Sequence, residues 1–143
     1  MSYIQSLKED HRQLLALAGE AEALLVLESP SMMPPPERER LRACLQRLIE
    51  LLAAHGRIEE QQLFPALRLR LAEADHWQVK MIEVQDEAIL TLARDLAAWS
   101  AGAASCPPEW VRESGSRLLR WLHEHVVIEE ERLFPKLGDQ ARP

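Results

Sequence analysis

The sequence predicts an all-α protein, an antiparallel up-down-up-down four-helix bundle built from residues 1–143 as one domain. Three observations lead there. Four long stretches carry apolar residues at helical spacing, and none alternates with period two. Proline-rich segments separate them at intervals suited to short connections.

The first stretch covers about residues 2–27, with Ile4, Leu7, Leu14, Leu15, Ala18 and Leu25 on one face. Ser2 followed by Gln5 has the spacing of a capping box. Residues 28–36 contain Pro30 and Pro34 to Pro36 and read as a loop, because proline lacks the backbone donor and crowds the preceding turn. The second stretch, about residues 37–64, lines up Leu41, Leu45, Leu48 and Leu52. A weaker break follows Phe64-Pro65 and precedes Trp77. The third stretch, about residues 75–99, places Val79, Ile82, Ile89 and Ala93 together. Residues 100–108 end in Pro107-Pro108 and form the second strong break. The fourth, about residues 109–134, aligns Val111, Leu118, Trp121 and Leu122. The four tryptophans are expected to pack.

Charge and hydropathy exclude several function classes. A net charge of -6 and a pI near 5.4 argue against nucleic acid, which needs a basic face. No apolar run approaches the ~20 residues of a membrane span. Residues 1–12 have no apolar secretory core, so the cytoplasm is the expected location. Cys44 and Cys106 form no Cys-x-x-Cys pair and are expected to be reduced thiols.

The chain repeats itself. Residues 51–67, LLAAHGRIEEQQLFPAL, align with residues 121–137, WLHEHVVIEEERLFPKL. Matching positions include His55 and His125, Glu59 and Glu129, and Phe64-Pro65 and Phe134-Pro135. Polar identities of this density point to a duplicated helical hairpin whose repeat carries chemistry as well as packing.

His55 and Glu59 stand four residues apart, as do His125 and Glu129. On an α-helix that spacing advances about 6 Å and returns to nearly the same face. Leu48 and Leu52, and Leu118 and Leu122, put that face inside the bundle. His11, flanked by Leu7, Leu14, Leu15 and Ala18, also faces inward. Buried imidazoles and carboxylates are costly alone, and a metal resolves that cost. These donors suit iron, manganese or zinc, and carboxylates in a helical bundle suit two metals.

The set His11, His55-x-x-x-Glu59 and His125-x-x-x-Glu129, with Glu-Glu-x-x-Leu-Phe-Pro in each repeat, resembles the hemerythrin HHE cation-binding domain over nearly the whole chain. The resemblance implies a hemerythrin-like four-helix bundle holding a non-haem di-iron centre, the two glutamates bridging the metals. It implies oxygen binding, sensing of oxygen, iron or redox state, or nitric-oxide defence and iron-sulfur repair, without choosing among them.

The third helix departs from the family pattern. Around His11 the chain reads His-Arg-Gln-Leu-Leu-Ala-Leu, and around Asp86 it reads Asp-Glu-Ala-Ile-Leu-Thr-Leu. Asp86 thus stands where the family has histidine, and Leu90 where oxygen carriers have another, which speaks against reversible oxygen carriage. Asp86 binds metal directly or through water, or only orients a ligand; Glu83, one turn earlier, is the rival. His76 is expected at the bundle end and His123 on the surface. Glu60 and Glu130, about 100° from the ligand face, are expected to be solvated or to support the ligands from outside.

The resulting expectation is a cytoplasmic protein with two iron ions, manganese or zinc also fitting, held by His11, His55, Glu59, Asp86, His125 and Glu129. Its partner is a small diatomic or peroxide ligand, with no nucleic acid and no membrane; a homodimer or protein partner stays open. The alternatives are a metal-binding interaction module without redox chemistry and an oxidase, peroxidase or repair enzyme.

Overall fold

The computed structural model describes residues 2–27 and 30–141. Among them run α1 (Tyr3–Leu27), α2 (Pro35–Ile58), α3 (Phe64–Arg70), α4 (Trp77–Ser100) and α5 (Pro108–Ile128), and there is no strand. A π-turn, Glu59–Leu63, joins α2 to α3, so the two form one long rod. A second π-turn, Glu129–Leu133, continues α5 into the 3-10 segment Phe134–Ala141. Helix α1 packs on α2 and α5, and α4 packs on the same two. Each long helix therefore lies beside its chain neighbour, and the α1–α5 contact closes the up-down-up-down ring.

Helix ends follow local chemistry. The Gln5 N–H donates to Ser2 Oγ at 3.2 Å, the forward half of the expected capping box. Helices α2 and α5 begin on Pro35 and Pro108, slightly before the expected Glu37 and Glu109. Proline suits the first turn, where its missing N–H has no intrahelical partner to lose. Of the first predicted loop, Pro30–Met32 forms a 3-10 turn, and Glu28 and Ser29 lie outside the described residues. Helix α4 stops at Gly102, whose φ of 77° lets the chain reverse; its N–H bonds Trp99 O at 3.0 Å. The break expected between Phe64-Pro65 and Trp77 falls at residues 71–76, and the π-turn carries the helix through Pro65 before it.

The apolar interior has two parts. One, including Leu14, Ala18, Leu25, Leu45, Leu48, Ile89, Leu96 and Leu118, fills the end near the α1–α2 and α4–α5 connections. The other joins Ile4, Leu7, Leu63, Phe64, Leu67, Val79, Ile82, Leu133, Phe134 and Leu137 at the opposite end. His11, His55, Asp86 and His125 fall between these parts in sequence on every bundle helix, so a polar layer separates two apolar ones. The tryptophans divide: Trp99 is buried and Trp110 and Trp121 pack against the core, but Trp77, expected to pack, is 60% exposed at the start of α4. No described helix is long and apolar enough to cross a membrane.

Candidate metal centre

The centre is assembled by the repeat. On α2, His55 is followed by Glu59 at the first residue of the π-turn; on α5, His125 is followed by Glu129 at the same place. The π-turns have a local cause. Phe64 N–H bonds Glu59 O and Phe134 N–H bonds Glu129 O, each five residues back. The next residue in each repeat is proline, which has no N–H and crowds the carbonyl four residues earlier. Winding the preceding turn wider relieves that conflict. Leu63 and Phe64, and Leu133 and Phe134, then seal the layer from below as buried apolar groups.

His11, His55, Glu59, His125 and Glu129 are all within 2% of complete burial. Donor atoms of His55, Glu59, His125 and Glu129 lie within 4.8 Å of one another. Glu129 Oε1 is the hub, 2.8 Å from His11 Nε2, 3.2 Å from His125 Nε2 and 3.7 Å from His55 Nε2. Glu59 Oε1 lies 2.7 Å from His55 Nε2 and 3.9 Å from His125 Nε2. Asp86 Oδ1 stands 3.0 Å from His125 Nε2 and is partly exposed. The rival Glu83 turns outward to Arg68, and to Lys80 at 3.8 Å. Of the two α4 carboxylates, Asp86 is the one the fold brings to the centre.

The outer nitrogens of the imidazoles are also held. His11 Nδ1 meets Glu130 Oε2 at 2.6 Å, His55 Nδ1 meets Asp10 Oδ2 at 3.3 Å, and His125 Nδ1 meets Gln85 Oε1 at 3.3 Å. Asp10 and Gln85 are the residues that sequence reasoning missed. Their signal was positional, since each immediately precedes an inward residue, His11 or Asp86. Glu130 takes the supporting place, whereas Glu60 is exposed. His76 bridges Arg68 O and Leu71 O at the bundle end, His123 is exposed, and both cysteines are free, all as expected.

The electrostatics are those of a crowded, dry cluster. Burial opposes charging of His55, but Asp10, Glu129 and Glu59 around it outweigh burial and hold its pKa well above the usual imidazole value. Burial likewise opposes the charge on His125, and Glu129, Asp86 and Glu59 overcome it. Glu59 is pushed up to about 8 by burial and then by the charge of Glu129, against the pull of His125 and His55. Glu129 is held well below the ordinary carboxylate range: burial acts upward, but His125, His11 and His55 prevail.

The donors fit a metal. Despite the short separations, His55 Nε2, His125 Nε2, both Glu59 oxygens and Glu129 Oε2 have no hydrogen-bond partner. Buried polar atoms are almost always paired, so a converging set of unpaired ones calls for a cation. Imidazole nitrogen with carboxylate oxygen is a donor set for first-row metals. A surface cavity of about 280 Å3 between α2 and α4, lined in part by Gly56, Glu60, Asp86 and Leu90, reaches the layer at Asp86.

No curated protein and no solved structure matches the chain. A family model does, over residues 2–137: the chain belongs to the hemerythrin HHE cation-binding domain family.

Proposed function

We propose that this chain is a non-haem di-iron protein that senses or reacts with dioxygen, peroxide or nitric oxide, with His11, His55, Glu59, Asp86, His125 and Glu129 as metal ligands. The observation that carries the reading is the pair of central carboxylates. Glu129 faces imidazoles from α1, α2 and α5, and Glu59 faces those of α2 and α5. Carboxylates flanked by imidazoles from both repeats suit two ions that share them. Manganese or zinc would satisfy the same donors, while bound iron would supply one-electron chemistry towards small oxidants.

The chain's own residues set the conditions. Leu63, Phe64, Leu133 and Phe134 exclude water from one side of the layer. The cavity at Asp86 gives a small ligand a way to approach, whereas a purely structural metal site is closed. Asp86 places an anion where the family has a neutral imidazole, which favours the oxidised metals and fits redox sensing or oxidation better than carriage. The reading includes the cytoplasm as location and a small diatomic or peroxide as ligand. In a sensing role, a protein partner or a second copy of the chain reads the centre.

The test is elemental analysis and an optical spectrum of protein produced with iron supplied. Two irons per chain and near-ultraviolet charge-transfer absorption that changes with peroxide or nitric oxide are expected. One metal or none per chain overturns the di-iron assignment. A centre filled by zinc and silent to oxidants favours the metal-binding interaction module instead.

A further inference from the structure

The contacts behind the imidazoles obey the sequence repeat. Carboxylate and amide oxygens accept, so Nδ1 of His11, His55 and His125 is the donor in each contact, and Nε2 is the nitrogen left facing the core. Asp10 precedes His11 as Gln85 precedes Asp86. These two equivalent residues back two equivalent imidazoles, His55 and His125. The second type of contact is present once. Glu130, at the end of α5, reaches across to His11 on α1. Its equivalent, Glu60, follows α2 and would reach α4 at position 86. There the inward group is Asp86, which when ionised only accepts, and Glu60 stays exposed. Glu60 and Asp86 nevertheless line the same cavity.

We propose that Asp10, Gln85 and Glu130 are positioning residues of a duplicated outer shell, and that Glu60 is its fourth, idle member, matched to an imidazole at position 86. The inference rests on the ligand set above. An outer partner fixes the rotation of a ligating imidazole and strengthens its other nitrogen as a donor. The shell is also unequal, because His11 and His55 are backed by carboxylates and His125 by an amide. A carboxylate is the stronger acceptor, so His125 is the weakest of the three donors and Gln85 is the position that limits it.

The probe is Co2+ added to the metal-free full chain, followed by visible absorption. Asp10→Ala and Glu130→Ala should each weaken cobalt binding about 10–100-fold, the usual effect of removing such a partner. Asp10→Asn and Glu130→Gln keep an accepting oxygen and should recover most of it, which a merely structural role does not predict. Gln85→Glu should tighten binding and lower the midpoint potential of the iron form, and Gln85→Leu should do the opposite. Glu60→Ala should leave the parent unchanged but weaken binding about tenfold in an Asp86→His background. Parental affinity in Asp10→Ala and Glu130→Ala overturns the shell. Equal effects of Glu60→Ala in both backgrounds overturn the idle member alone. If the parent itself binds no cobalt, the ligand set fails and takes the shell with it, a result distinct from the other two.

Discussion

Raising the pH should destabilise the metal-free protein and spare the metal-loaded one. Glu59 provides the magnitude. Its carboxyl is pushed up to about 8 in the fold, against an ordinary 4.5. A group with a raised folded pKa contributes stability that is complete below its unfolded pKa and lost as the pH climbs through the folded one. For Glu59 that window is pH 4.5 to about 8. The gap corresponds to about 5 kcal/mol at 1.36 kcal/mol per pH unit, an upper figure for a group whose surroundings can relax. His55 and His125 act with the same sign, because their folded pKa values also lie above the ordinary 6.5. Glu129 acts oppositely: its depressed pKa contributes stability above 4.5 that is lost only on acidification. The metal-free protein should therefore be most stable on the mildly acidic side and weaken through pH 8.

A bound metal reverses this dependence. The ligands must be deprotonated to bind, so metal affinity rises with pH and binding releases protons. The stabilisation from metal, RT ln(1 + [L]/Kd), grows over the same range in which the metal-free protein weakens. The assay is urea unfolding of chelator-stripped and metal-loaded protein at pH 6 and pH 8.5, with Glu59→Gln as a third sample. The stripped parent should lose several kcal/mol between the two pH values, and Glu59→Gln should lose distinctly less. Equal stability of the stripped parent at both would refute the reasoning, because the buried carboxyls would then ionise without penalty.

Other outcomes follow from packing and charge. A Cβ on Gly115 would stand 2.6 Å from Leu25 Cδ1, at the close approach of α1 and α5, so Gly115→Val should cost about 1–3 kcal/mol in urea unfolding. Ser114 Oγ is fully buried on α5 without a partner, so Ser114→Ala should raise the melting temperature, by a stability gain of about 1 kcal/mol. Leu118, fully buried, should cost about 2–5 kcal/mol as Leu118→Ala, read as a lower denaturation midpoint. Asp86→His should keep two metals and raise the midpoint potential of the iron form, measured by redox titration; an unchanged potential would place Asp86 outside the metals' coordination.

The bundle is legible in the sequence because periodicity reports burial directly. Leu41, Leu45, Leu48 and Leu52, and Val79, Ile82, Ile89 and Ala93, all have the buried positions their spacing assigns. The inner cluster is legible for the same reason, since His11, His55 and His125 continue apolar stripes, and the repeat adds Glu59 and Glu129. Sequence spacing cannot separate Asp86 from Glu83, because both fit the α4 face; the fold adds that Arg68, on a different helix, pairs with Glu83 and that Asp86 lies beside His125. Glu130 illustrates the same boundary. It lies in the second π-turn at the edge of the centre, and its role depends on where α1 brings His11. The π-turns are hidden because helical spacing assumes uniform winding, although Phe-Pro after each glutamate marks the spot. Trp77 escapes because an aromatic at a helix start carries no signal of which side it faces.

The departure at Asp86 changes the charge balance of the whole layer. In metal-free protein, Glu59, Asp86 and Glu129 converge on three imidazoles, and Glu59 keeps its proton because it is buried and because Glu129, and to a lesser degree Asp86, lie close to it. With Asp10 and Glu130 behind the imidazoles, five carboxylates surround a space that a histidine at position 86 would have left with four. Glu59 and Glu129 are buried and Asp86, Asp10 and Glu130 are partly exposed, so negative charge gathered there favours cations at the centre. Under the proposed di-iron reading, such a set would match metals of higher charge better, so oxidation at the centre would be opposed less than in a set with four imidazoles. The same excess explains the outward turn of Glu60: with Asp86 beside it, a further inward carboxylate would have no donor to meet. Under the proposed di-iron reading, the carboxylate at position 86 would account both for the unequal outer shell and for a centre tilted towards its oxidised state.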